Sequence, residues 1–230
     1  NVLEDNAWYG LYEESGTKIK SIGNIYTRNG CISSNEMTRL LYQRRFDDLE
    51  TIVNRLRNEK VNNSGYWQLE TFYNSLGDYV GRITRGEEEE YLKLIDDWRK
   101  AKPDSVAAAI VKARAFLDLA WRERGTGWAR DVTDEGWEGY HRYGELAWTA
   151  TLEAEKLGVS DPDLYLLKAQ AAHATGRGSG SSLQALWNAF RGKRTVVVDE
   201  YIEAGVSREP TYLGYYGEQV RQLLPRWGGS

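Results

Sequence analysis

Through the middle of this 230-residue chain, apolar residues recur every three or four positions, in blocks closed by polar, glycine or proline signals. Phe46, Leu49, Ile52, Val53 and Leu56 form one such face, and Tyr91, Leu94, Ile95 and Trp98 form another. Trp137, Tyr140, Gly144, Ala147, Thr151 and Ala154 form a third. This is the helix period. The spacing predicts an all-α protein.

The punctuation fits the same reading. Ser33-Ser34-Asn35-Glu36 sets a hydroxyl three residues before a carboxylate, which is capping-box spacing, and Leu40 and Leu41 follow. A polar break at Arg44-Arg45 then precedes the Phe46 block, so two short helices form an αα-hairpin. Ser64 starts a segment carrying Trp67, Phe72 and Leu76. Glu87–Glu90 would occupy a first helical turn, where the macrodipole favours negative charge, rather than a metal site. That helix stops before Lys102-Pro103. Asp104 or Ser105 caps an alanine-rich helix that bears Ile110, Phe116, Leu117 and Trp121. Residues 122–133 read as a polar loop, and a long helix is expected from Asp134 to Leu157. Gly144 inside it costs about 1 kcal/mol relative to alanine, unless its small face lets a neighbouring helix come close. Residues 1–33 show no sustained period. Trp8, Tyr9, Tyr12 and Tyr26 are scattered among glycines there, as in an irregular segment lying on the helices after it.

Composition removes several function classes. Hydrophobic residues make up 41% of the chain and the formal charge is only −4, which argues against disorder. No apolar run approaches the roughly 20 residues a membrane span needs. Cys31 is alone, so neither an intrachain disulfide nor a multi-thiolate metal site can form. His141 and His173 leave little for a zinc or triad enzyme, and the acidic balance lacks the basic footprint of a nucleic-acid binder. No cofactor or metal is expected. The aromatic content is skewed, with 9 Trp and 15 Tyr against 4 Phe, and 20 arginines outnumber 10 lysines. Rings with a polar handle settle at half-buried seams, where guanidinium groups stack on them. The chain begins at Asn1 without a leader, so either a targeting segment has been removed or the chain is part of something longer. The compartment, cytoplasm or periplasm, is left open.

Two phrases echo each other. Gly158-Val159-Ser160-Asp161-Pro162-Asp163-Leu164-Tyr165 is answered by Gly205-Val206-Ser207-Arg208-Glu209-Pro210-Thr211-Tyr212, and Lys102-Pro103-Asp104-Ser105 is a fainter relative. In each, a helix stops and a proline stands where a first helical residue belongs. The prolines are 59 and then 48 residues apart, which suggests helical hairpins with insertions.

The stretch Ala120-Trp121-Arg122-Glu123-Arg124-Gly125-Thr126-Gly127-Trp128-Ala129, with Val132-Thr133 and Glu135-Gly136-Trp137, resembles a bacterial domain-of-unknown-function family built of tetratricopeptide-like hairpins. Ser64-Gly65-Tyr66-Trp67 and the ending Leu223-Leu224-Pro225-Arg226-Trp227-Gly228-Gly229 are similar to phrases of that family. The likeness runs from about residue 36 to the end. It implies antiparallel hairpins stacked as a right-handed array over residues 34–230, with the irregular segment 1–33 packed on it. In that family further helix comes after the Pro-Arg-Trp-Gly-Gly phrase, so this chain is expected to be a fragment or a truncated relative. The likeness implies no reaction.

The candidate site is the stretch Trp121–Trp137. Trp121, Arg122, Arg124, Trp128, Arg130 and Trp137 could cap a groove and grip a carboxylate, a peptide terminus or a sugar ring. In that case Arg124→Ala abolishes any binding. The alternative is architecture, with Trp128 plugging the hairpin and the arginines capping helix ends. His141 lies one turn after Trp137 and borders the same loop. Arg226 and Trp227 pair a guanidinium with a ring near the C-terminus. His173, ending an alanine-rich helix, suits a cation. The glycine-rich stretches at 176–182 and 192–195 lack the strand and the glycine spacing of nucleotide loops and read as linkers. Adjacent acids such as Asp47-Asp48 and Asp96-Asp97 point about 100° apart on a helix and do not converge.

Two functions are consistent with these features. The favoured one is a non-catalytic helical-repeat module, a scaffold, adaptor or immunity-type protein, that binds another protein. The alternative is a carbohydrate-binding or carbohydrate-active protein with a Trp/Tyr-lined groove, whose catalytic form needs two converging carboxylates beside the indoles. A peptide ligand is a variant of the first, and neither uses nucleic acid.

Overall fold

The computed structural model describes residues 32–60, 65, 67–158, 160–177 and 196–224. Among them the fold is all-helical. Ser33 caps α1 (Ser34–Tyr42), its hydroxyl accepting from the Glu36 N–H, while the Glu36 carboxylate turns outward to Arg39. Arg44, at a positive φ of 54°, makes the tight turn into α2 (Phe46–Glu59), whose five predicted apolar residues are all buried. Then come α3 (Gln68–Gly77) and α4 (Glu88–Ala101), with Glu88, Glu89 and Glu90 in the first turn of α4 as the sequence predicts. Ser105 caps α5 (Val106–Arg124), and Thr133 caps α6 (Asp134–Lys156). Asp161 caps α7 (Pro162–Ala174). Helices α8 (Val196–Arg208) and α9 (Gly214–Leu223) close the described chain.

The alanine-rich α5 is buried almost all round, which identifies a central helix. Its small side chains let α3, α4, α6 and α7 all approach it. Helices α1, α3, α5 and α7 pack one against the next in series, and α8 then packs on α7 and α9 on both. Gly144 does what its place in the stripe suggests. A Cβ there would meet the Ala174 Cβ at 2.8 Å and its backbone at 3.3 Å, so the missing side chain sets how closely α6 and α7 approach.

Two readings need correction. Helix α5 continues through Arg124, so Trp121–Arg124 is its last turn and not the start of a loop. The true stop is Gly125 at φ 75°, a conformation that glycine takes without strain. Of the three echoed prolines, only Pro162 is a first helical residue. Pro103 and Pro210 lie in turns ahead of α5 and α9, where a fixed φ is equally useful. The irregular segment read at 1–33, apart from its last two residues, lies outside the described residues. So do nearly all of the glycine-rich stretches, and Arg226 and Trp227.

Candidate functional site

The last turn of α5 and the first turns of α6 bring Trp121, Arg124, Trp137 and His141 together. The Arg124 guanidinium lies between two indoles, 5.4 Å from the Trp121 ring centre and 5.2 Å from that of Trp137. Its Nη1 donates to the carbonyls of Gly125 (3.2 Å) and Gly127 (3.3 Å), and the residue is only 4% exposed. Tyr140 sets its edge against both indoles, at 5.0 and 5.7 Å. The His141 ring stacks on Trp137, and its Nδ1 lies 2.7 Å from the Ala174 carbonyl oxygen.

The other half of this corner comes from α7 and α9. Arg221 covers Trp121 at 4.6 Å, and its Nε donates at 3.0 Å to Glu218, a buried carboxylate that also accepts from Gln170 Nε2 at 3.0 Å. Nη1 of Arg221 is enclosed and has no hydrogen-bond partner among the described residues. Burial, followed by the positive charge of Arg221, pushes the His173 imidazole down to about 4. His173 is therefore neutral near pH 7 and is not the helix-end cation that its position suggests.

The remaining predicted residues go elsewhere. Arg122 pairs with Glu88 and donates to the Val80 carbonyl at 3.4 Å, tying α5 to the start of α4. Trp128 and Arg130 face outward on the loop, the indole 49% exposed with the guanidinium 5.8 Å from it. Sequence reasoning missed Tyr140, Gln170, Glu218 and Arg221 as members of this corner. The one local signal was the three-residue spacing of Glu218 and Arg221 on a helix.

A second polar assembly, buried between α2, α3, α5 and α7, was also missed. Asp161 Oδ2 accepts from Arg57 Nε (2.7 Å) and from the Tyr73 hydroxyl (2.5 Å). Asp163 accepts from Arg114 (Nη2 at 2.6 Å, Nε at 3.2 Å) and from the Tyr212 hydroxyl (2.5 Å). Both aspartates are fully buried. Arg57 also lines a polar cleft of about 350 Å³ with Glu50, Asn54, Asn58, Asp104 and Ser105. Among the described residues, no group of three His, Cys, Asp or Glu side chains could hold a metal ion, and no helix is long and apolar enough to cross a membrane.

Beside this assembly, Asp118 accepts from the Gly81 N–H at 2.6 Å. Burial, then the nearby Asp78 carboxylate, raises its carboxyl from 3.8 to about 6. A raised acid binds its proton more firmly in the folded state, so Asp118 adds stability as pH falls from 6 towards 4. His173 acts in the opposite sense. Lowered from 6.5 to about 4, it costs stability as pH falls through the same window, because the unfolded chain takes the proton that the folded one refuses. Asp118→Asn is therefore expected to be about 1 kcal/mol more stable at pH 7 and to lose stability more steeply on acidification. His173→Asn is expected to lose it less steeply. Urea midpoints between pH 7 and pH 4 decide this, and parallel curves for the three proteins would refute it.

The outward face of the α8–α9 pair is different in kind. The inner faces, Val198 and Ile202 on α8 and Tyr215 and Glu218 on α9, are buried. Outward, α9 presents Tyr216 and Val220, and its two capping residues Leu213 and Leu224 continue the same spacing of three and four, each of the four between 41% and 59% exposed. Tyr216 is held by its hydroxyl, which donates to the Pro210 carbonyl at 2.9 Å. On α8, Glu200 and Glu203 are exposed and have no ion-pair partner among the described residues.

No curated protein and no solved structure matches the chain. Residues 33–161, from the cap of α1 to the cap of α7, match a family model described as Domain of unknown function (DUF4034). That span covers more than half of the sequence, and the chain belongs to the DUF4034 family.

Proposed function

We propose that this domain is a non-catalytic helical-repeat module that binds another protein. The observation that carries the reading is the outward face of α9, four large apolar side chains on one helical stripe at the end of a series of packed helices. A contiguous exposed stripe of this kind is what an interaction surface looks like, whereas scattered single apolar residues are ordinary. The serial packing of α1, α3, α5 and α7 supports a tetratricopeptide-like arrangement.

The carbohydrate reading draws less support. A sugar stacks on a free indole face, and of the described indoles Trp128 alone is largely exposed, beside Arg130, while others already lie against protein groups. Arg124 and Arg221 lie over Trp121, Arg124 and His141 over Trp137, and Arg177 over Trp148. Trp98 stacks on Phe46. Glu218, the carboxylate brought to the Trp121 corner, is held by Arg221 and Gln170 and not poised beside a second acid.

A photo-crosslinking residue at Val220, expressed in the cells that make the protein, tests the interaction reading. The expected result is a discrete protein adduct identified by mass spectrometry. It should be absent when the crosslinker sits at exposed Thr149 on α6, and lost when Leu213→Glu is added. Adducts of equal yield from both positions, or none from Val220, would overturn the reading.

A further inference from the structure

We infer that the polar cleft between α2 and the start of α5 binds a guanidinium group. One wall is a single stripe of α2, with Glu50, Asn54, Arg57 and Asn58 at helical spacing. The other wall is Asp104, the capping Ser105 and Val106. At about 350 Å³ the cleft lies at the small end of the range for ligand sites. Each hydrogen bond and ion pair of these seven residues is made to a described residue.

Counting those bonds shows which groups are left over. Glu50 Oε1 accepts from the Trp98 indole at 2.9 Å and from the Ser105 hydroxyl. That fixes the carboxylate and leaves Oε2 without a partner among the described residues. Arg57 spends Nε on Asp161, Nη2 on the Tyr73 hydroxyl and Nη1 on Asn54 Oδ1. The side chains of Asn58 and Asp104 have no partner among the described residues. The unused acceptors are therefore Glu50 Oε2, both Asp104 oxygens and the Asn58 carbonyl.

Charge selects a cation. The Arg57 charge is met by the fully buried Asp161, 2.7 Å away. Lys102, within reach of the Glu50 charge, pairs with Asp47. The N-terminal end of α5 offsets about half a unit of negative charge. The formal charges of Glu50 and Asp104 together exceed that, so the cleft is negative.

Shape and donor count select the cation. The acceptors are an open carboxylate, a second carboxylate oxygen and an amide carbonyl, set on both walls of a narrow cleft. A guanidinium presents N–H donors on every edge of a flat plate, and its fork matches a carboxylate bidentately. An ammonium has fewer donors and holds its water more tightly. No aromatic ring lines the cleft, so a sugar or a nucleobase would find nothing to stack on. Two carboxylates also fall short of the group of three that could hold a metal ion.

The test is an NMR titration of the full 230-residue chain with arginine, with lysine and with citrulline, the uncharged copy of arginine. Arginine should move the side-chain amide signals of Asn54 and Asn58. It should bind at least about tenfold more tightly than lysine or citrulline. Asp104→Asn should weaken arginine binding severalfold. Asn58→Arg, which supplies the cleft with a guanidinium of its own, should abolish it. Both positions are exposed and their side chains are unpartnered among the described residues, so an unchanged thermal midpoint is expected for each variant. A peptide with one arginine and both ends blocked identifies the source. Binding as tight as that of free arginine assigns the cleft to an arginine of another protein, and binding lost on blocking assigns it to a free small molecule. Either result agrees with the inference.

No shift of the two asparagine amides with arginine would overturn it. Equal binding of lysine would show a site for any cation, and equal binding of citrulline would show that charge plays no part. Either would overturn the inference, as would arginine binding that Asp104→Asn and Asn58→Arg leave unchanged. None of these outcomes touches the α9 reading, which the Val220 crosslink decides on its own.

Discussion

Asp163→Ala is expected to destabilise the fold by about 3–5 kcal/mol, the cost of removing one partner from a buried ion pair. Asp163 is fully buried in the first turn of α7 and takes two donors from Arg114 and one from Tyr212. Without it, the acid left beside the Arg114 guanidinium is Asp78, with its nearest oxygen at 3.7 Å. The guanidinium then stays buried and under-compensated, and the Tyr212 hydroxyl loses its acceptor. The deficit belongs to the stranded charge and not to a net gain from the pair. Arg114→Met combined with Asp163→Leu should accordingly recover much of it, since an apolar pair of similar volume is often neutral. Urea denaturation of the two single variants and the double variant measures this. A loss below about 1 kcal/mol for Asp163→Ala would mean that water reaches the site.

Arg124→Ala should cost about 2–4 kcal/mol and should report through the indoles. Each buried cation–π contact contributes about 0.5–2 kcal/mol, and Arg124 makes two. It also satisfies two loop carbonyls just beyond the end of α5, and its removal leaves a space between Trp121 and Trp137. The emission of these two tryptophans should shift to the red as water enters. Arg124→Lys should rescue little, because an ammonium is not the flat plate that fits between two rings. Arg130→Ala, which changes an exposed pair, should stay within about 0.5 kcal/mol of the parent. An Arg124→Ala protein with parental midpoint and emission would contradict this account. As a pure sequence feature Arg124 suggests a ligand grip, but its burial makes it part of the architecture that joins α5 to α6.

Helices α2, α4 and α6 were legible because each carries an apolar stripe at the helix period and a polar residue where it ends. Ser33 was legible as a cap from its three-residue spacing to Glu36, and the cap of α5 was legible as Asp104 or Ser105, of which the structure selects Ser105. Gly144 was legible because it interrupts a stripe of small residues. The extent of α5 was not, because Arg122, Glu123 and Arg124 look like loop residues until their partners on other elements are known. Those partners are Glu88 for Arg122 and the two indoles for Arg124. Asp161 and Asp163 stand in the phrase around Pro162, which reads as the stop of one helix and the start of the next, and the structure adds that Asp161 is the cap. Their second role depends on Arg57, 104 residues away from Asp161, and on Arg114, 49 residues away from Asp163. No local pattern encodes a pairing at that distance. The same holds for Arg221, which reaches Trp121 from a short helix at the far end of the chain.

The aspartates flanking Pro162 also bear on where the family's shared region ends. The matched span stops at Asp161, yet Arg114, well inside that span, is neutralised by Asp163 beyond it, a carboxylate that Tyr212 also holds through its hydroxyl. Arg57 is neutralised by the very last matched residue, held in place by the helix that residue caps. A piece cut to the matched residues would keep Arg114 with only the more distant Asp78 beside it, and would lose its closer counter-charge, Asp163, together with α7, which packs on α5. The matched span is therefore smaller than the set of helices packed together here, and its boundary runs through the Arg114–Asp163 salt bridge.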